Sequence, residues 1–261
     1  MSSGYSWLAA RGLTDYFVEH TFGTNDAVST AYELIANDGI YRTPKYDSPV
    51  QLRVKAGNVN DTAAGSGAQK ILLIGMDSDG VTIVEQLATA GASASALTTK
   101  SFVRLFRIEV SESGTYAEVG AYSHAAAIVI ETSGGVQWGK IAFHDDIPHG
   151  ISQIGAFTVP ASLTRASIEI EEAYVLSYTF TVDSGKSCDF LMMHRDNADC
   201  LTAPYSSNKV IREHLQIGTP ITVELSVPLG PFKPHTDISV FAKAVTSASV
   251  SIDLELALVK K

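Results

Sequence analysis

Two imidazoles and two carboxylates stand within six consecutive positions, at His144, Asp145, Asp146 and His149, a set that could hold Zn²⁺ or Ca²⁺. Such sites need their ligands aligned by a helix or wrapped by a closed loop. No helical pattern runs through Phe143 to His149, and Pro148 would break one. A polar connection between strands is the expected reading. Asp77-Ser78-Asp79-Gly80 opens like a calcium loop, but its closing position is Ala88 rather than glutamate, so a hairpin turn is expected there. His194-Arg195-Asp196 mimics the tripeptide of a kinase catalytic loop without any other kinase signature. Gly65-Ser66-Gly67 does not form the nucleophile-elbow pentapeptide. Glu171 and Glu172 are expected on a strand, where adjacent side chains point to opposite faces and cannot flank one bond. Cys188 and Cys200 match no zinc spacing and are expected as free thiols. The chain is therefore expected to have no catalytic residue, no cofactor and no metal.

The elements that would have to position these residues read as strands. Val50 to Val54 alternates apolar and polar, and Gln69–Gly75 and Val81–Leu87 flank the Asp77–Gly80 turn as a hairpin. Further strands are predicted at Phe102–Val110, Ala126–Glu131, Gly155–Val159, Ser167–Thr181, Phe190–His194, Thr219–Leu225, Asp237–Ala244 and Ser249–Val259. The last is the cleanest, with Val250, Ile252, Leu254, Leu256 and Leu258 on one face. Sustained helical periodicity is missing after Val50, and crossover helices for a parallel sheet are not found. The expected fold is all-β, an antiparallel β-sandwich of jelly-roll type.

Residues 1–48 read differently. A turn or two of helix is conceivable at Ala31–Ala36, ended by Asn37-Asp38-Gly39, and Pro44 and Pro49 impose extended backbone. This stretch is expected as an extended N-terminal arm with little core of its own. Residues 49–261 are expected as the β-sandwich domain, with two halves meeting near 150 as a variant. Trp7, Leu8, Tyr16, Phe17 and Phe22 are groups that a solvated tail would not keep, and they are the expected partner-contact residues.

Hydrophobic residues make up 45% of the 261 and charged residues 18%, which excludes a disordered chain. A net charge of −9 opposes non-specific nucleic-acid binding, which needs a cationic face. No apolar run approaches the roughly 20 residues of a membrane span, and the first fifteen residues lack the pattern of a secretion signal. The expectation is a soluble protein with neither nucleic acid nor membrane among its partners.

Several segments, in order, resemble one family. They are Phe22-Gly23-Thr24-Asn25, Gly39 to Pro44, Asn60-Asp61-Thr62-Ala63-Ala64-Gly65-Ser66-Gly67-Ala68-Gln69-Lys70, Ile74 to Asp77, Leu97 to Arg104, Lys233 to Ile238 and Ile252 to Val259. Together they resemble virion structural proteins of tailed phages, many of them marine. The middle, Ser111 to His149, follows that pattern loosely. The resemblance implies placement in a virion assembled in the host cytoplasm, and it carries no catalytic residues. It leads to a capsid decoration or cement protein, with the major capsid protein and its own copies in a homotrimer as partners. A tail, fibre or neck component, as adaptor or host-glycan-binding module, is the alternative. A glycan-binding module would need exposed aromatics. Tyr174, Tyr178 and Phe180, spaced by four and two, would share one strand face, expected as core rather than sugar platform.

Overall fold

The computed structural model describes residues 14–118, 123–143, 150–164, 167–196 and 210–261. The described residues form sixteen strands, numbered in chain order. They are β1 (Tyr16–Val28), β2 (Glu33–Leu34), β3 (Leu52–Ala56), β4 (Ala68–Met76), β5 (Thr82–Ala88) and β6 (Arg104–Ser113). There follow β7 (Ile128–Thr132), β8 (Gln137–Ile141), β9 (Ala156–Thr158), β10 (Ser162–Leu163) and β11 (Ile168–Val182). The last five are β12 (Cys188–Arg195), β13 (Val210–Ile217), β14 (Ile221–Phe232), β15 (Asp237–Ala244) and β16 (Ala248–Lys260). Every strand pairing is antiparallel, and the only helical pieces among the described residues are a 3-10 turn at Asn37–Gly39 and one turn at Thr115–Glu118. The chain is all-β.

It divides into two compact units, one made of Met1–Gly39 with Gly155–Lys261 and the other of Ile40–Ile154. In the first, one sheet runs β1-β16-β11, and β11 carries β14 and β10 along its other side. The second sheet runs β13-β12-β15, and β15 carries β2 and β9. Their shared core follows from the alternation of β16. Val250, Ile252, Leu254, Leu256 and Leu258 are all fully buried, and Phe180 of β11 meets Phe190 of β12 at 4.4 Å between ring centres. Each such side chain removed from water stabilises the fold by about 1.5–3 kcal/mol.

The second unit has two three-stranded sheets, β3-β7-β8 and β5-β4-β6. Leu52, Val54, Ile130 and Trp138 of the first join Ile71, Leu73, Leu105 and Ile108 of the second in one apolar cluster. The Asp77–Gly80 turn forms as expected. Asp77 Oδ1 accepts the N–H groups of Asp79 and Val81, and Gly80 takes a φ of 77°.

The expected arm is where the structure departs most from the sequence reading. Tyr16–Val28 is a thirteen-residue strand paired along β16, and Val28, Ile35 and Ala36 are fully buried. Gly and Asn/Asp in Phe22-Gly23-Thr24-Asn25-Asp26 are poor strand formers, which is why the local pattern reads as irregular. The open edge of β16 supplies the backbone partners that override it. Gly23 is required there, since a Cβ would lie 2.2 Å from Gly155 N. The stretch conceived as helix at Ala31–Ala36 is instead occupied by β2, and the 3-10 turn follows it at Asn37–Gly39, where Asp38 and Gly39 adopt φ values of 56° and 64°.

Candidate functional site

His144, Asp145, Asp146 and His149 lie outside the described residues, as do Trp7, Leu8 and Cys200. Cys188 is a buried free thiol whose pKa burial pushes up, with Asp189 and Asp183 adding to the effect. Among the described residues, no group of three or more His, Cys, Asp or Glu side chains could hold a metal ion, and no helix is long and apolar enough to cross a membrane.

The His194-Arg195-Asp196 tripeptide is divided by the pleat of β12. His194 is buried against Phe232, with ring centres 5.5 Å apart, and its Nε2 lies 3.3 Å from Asp196 Oδ2. Arg195 is buried on the opposite face in an ion pair with Asp237, whose other oxygen accepts the Thr158 hydroxyl. Register makes this a row across β12, β15 and β9, because Arg195 pairs with Asp237 and Asp237 with Thr158. Arg195 and Asp237 are each 1% exposed, so no substrate reaches them. In the second unit, buried Arg104 donates to the carbonyls of Pro44 and Val103 and stacks over Tyr46 at 5.0 Å.

The Asn60–Gly67 segment has a packing explanation. Asp61 is fully buried, and its Oδ1 accepts the N–H groups of Ala68 and Ala125. A Cβ on Gly67 would fall 2.1 Å from that oxygen, and one on Gly65 would fall 2.1 Å from Asn60 O. These residue types close a loop.

The expected aromatic stripe is broken by a bulge. In the pairing of β11 with β16, Val175 faces Leu256 but Ser177 faces Glu255, which leaves Leu176 as an extra residue. Tyr178 and Phe180 therefore point into the core, at 2% and 1% exposure, while Tyr174 points out. Burial, with the nearby Glu213 carboxylate, pushes the Tyr178 phenol up to about 12. Tyr174 instead donates to Glu172 Oε1 at 2.6 Å, and Lys233 reaches the other oxygen at 2.9 Å. Those two hydrogen bonds hold the Glu172 carboxyl below its usual range, and the same contacts raise Tyr174 and Lys233. A second irregularity lies between Ile170 and Glu172, so the expected simple alternation of Glu171 and Glu172 does not apply.

What the bulge leaves on the outer face of the first sheet is an ordered polar surface. Pairing places Thr24, Ser251 and Thr181 side by side across β1, β16 and β11. The next row outward is Phe22, Asp253, Thr179 and Thr222, and the next His20, Glu255, Ser177 and Glu224, each crossing four strands. Neighbours within the face fix one another. His20 Nδ1 is 2.9 Å from Asp253 Oδ1, Ser177 donates to Glu255 at 2.9 Å, and the Thr179 and Thr222 hydroxyls meet at 3.0 Å. Phe22, on the edge strand β1, is 46% exposed beside Asp253. Tyr16 and Phe17 are half-buried on the same strand, and the Lys260 ammonium sits 4.8 Å over the Phe17 ring. The sequence signal for the face was the polar half of the β16 alternation, Ser251, Asp253 and Glu255; its match on β1, β11 and β14 depends on register. No family model, curated protein or solved structure matches the chain.

Proposed function

We propose that the chain is a structural protein of a tailed-phage virion, a decoration or cement protein that clamps neighbouring major-capsid subunits and stabilises the head. The observation that carries this reading is the strand order of the unit made of Met1–Gly39 and Gly155–Lys261. Its sheets order as β1-β16-β11-β14 and β2-β15-β12-β13. Such an order supports an eight-stranded jelly roll, in which the Ile40–Ile154 unit is an insertion between the second and third strands. Jelly rolls recur in viral capsid and lectin domains, and the step to a particle is made by analogy of fold. The family resemblance supports the same placement.

On this reading the partners are the major capsid protein and further copies of the chain as a homotrimer, with no nucleic acid, membrane, cofactor or catalytic step. An acidic chain with 18% charged residues would bind through apolar and backbone contacts, so salt would weaken attachment little. Phe22, exposed on β1, would be one contact; the expected contacts at Trp7 and Leu8 belong to the same proposal. A tail, fibre or neck component is the second reading, favoured by the polar face described above.

Copy number in purified virions separates the two. Hundreds of copies place the protein on the head, and a dozen or fewer on the tail. Particles depleted of the protein should still form but release DNA at a lower temperature, and adding purified protein should restore them. Depleted particles that are equally heat-stable, yet tailless or unable to adsorb, would replace the head reading with the tail reading.

A further inference from the structure

We propose that Ser123 is a nucleophile activated by His124 and accepts the acyl group of a carboxylic ester. The pair lies in the Ile40–Ile154 unit, in the connection that leads into β7. It is independent of the strand order on which the head reading rests.

A carbonyl places the proton on the imidazole. His124 Nε2 is 3.1 Å from Ala142 O, and a carbonyl oxygen can only accept. Nε2 therefore carries the hydrogen, and in the neutral ring Nδ1 keeps its lone pair. Nδ1 lies 2.7 Å from Ser123 Oγ, so the hydroxyl donates to it. A serine hydroxyl on a neutral imidazole nitrogen, with the other ring nitrogen tied to a third group, is the arrangement that makes serine nucleophilic.

Both side chains are held before any reactant arrives. Ser113 Oγ donates to Ser123 O at 2.6 Å, and Asp61 Oδ1 accepts the Ala125 N–H at 2.9 Å, which fixes the backbone on either side of His124. The His124 ring is 1% exposed and meets Phe143 edge-on, with ring centres 5.8 Å apart. Ser123, in contrast, is only half-buried. A Cβ at Gly150 would lie 3.1 Å from Ser123 Oγ, and the glycine keeps that flank of the hydroxyl clear. Nucleophile and base are thus positioned by their surroundings, and the nucleophile is the one of the two that meets solvent.

The acylation step balances within these groups. Ser123 Oγ bonds to the ester carbonyl carbon as its proton passes to His124 Nδ1. The bond from that carbon to the alcohol oxygen then breaks, and the departing alkoxide takes the proton from Nδ1. The ring returns to its neutral tautomer, and Ser123 is left as an acyl ester.

Diisopropyl fluorophosphate tests the pair, because the same Oγ attacks phosphorus while fluoride leaves with the proton. The intact chain treated with excess reagent should gain a single adduct by mass, mapped to Ser123. Exposed Ser78, in the turn before β5, should stay unmodified. Ser123→Ala should abolish the adduct, and His124→Gln should slow its formation about a hundredfold, as expected for loss of a general base, with an unchanged melting temperature. Should that variant not fold, Ser123→Cys decides: its thiol should react with iodoacetamide at neutral pH about tenfold faster than free cysteine, since His124 takes the thiol proton. The proposal is overturned by no adduct at Ser123, by equal labelling of Ser123 and Ser78, or by parent-like labelling of folded His124→Gln. An unaccelerated thiol in Ser123→Cys overturns it as well.

Discussion

Arg195, Asp237 and Thr158 meet across three strands of the first unit, from positions far apart in the chain. Asp61, equally buried in the second unit, has its Oδ1 held by backbone N–H groups, one of them seven residues on at Ala68, while its Oδ2 finds no hydrogen-bond partner among the described residues. Both arrangements take a carboxylate out of water, but they depend on different things. The ionic row exists only if β12, β15 and β9 pair in one register, so a slip of one residue would bury an uncompensated guanidinium. The loop carboxylate needs a local turn, two glycines and one contact from Ala125. The first unit thus uses charge to fix long-range register, while the second uses a carboxylate to close a loop.

Asp237→Ala should give the largest effect in this comparison. It leaves buried Arg195 without its carboxylate, at a cost of about 3–5 kcal/mol. Hydrogen exchange should show the loss across β12, β15 and β9 while β3, β4 and β7 keep their protection. Equal loss in both units would erase the distinction between them. Asp61→Ala orphans the buried N–H of Ala68 and the part-buried N–H of Ala125 and should cost roughly 2–4 kcal/mol, confined to the second unit. Asp61→Asn keeps an acceptor and should recover most of that in denaturant titration.

A third effect belongs to the first unit alone. The Tyr178 phenol titrates at about 12 in the folded chain against an ordinary value of 10. Between those values the unfolded chain loses this proton while the folded one keeps it, so stability is fully present below pH 10 and falls as pH rises toward 12. The loss approaches roughly 3 kcal/mol, and Tyr178→Phe should remove that part of the pH dependence. A variant with the same alkaline profile as the parent would locate the titration elsewhere. The smallest change is expected at the polar face. Thr179→Ala should alter stability by less than about 0.5 kcal/mol, because its hydroxyl bonds only within a solvated surface.

Where one rule dominated, the strands could be read locally. The alternation from Val250 to Leu258 needs only a period of two and a core to face, and β16 follows it. Asp237–Ala244 likewise begins and ends where its pattern does. Gly65 and Gly67 marked a loop before Asp61 gave that loop its reason.

Register and bulges were decided in three dimensions. A local pattern carries no information about which strand will lie alongside, so β1 read as an arm until β16 offered it an edge. One extra residue at Leu176 reverses every later face of β11, which is why Tyr174 parts from Tyr178 and Phe180 and the outer face is polar. Buried Arg104 and Arg195 were equally hidden, since a charged side chain in a sequence reads as surface until its partners are in place. Composition and alternation, properties of neighbouring residues, determined that this chain is all-β. Pairing between residues tens of positions apart, governed by backbone hydrogen bonding and close packing, decided which side chains share a face.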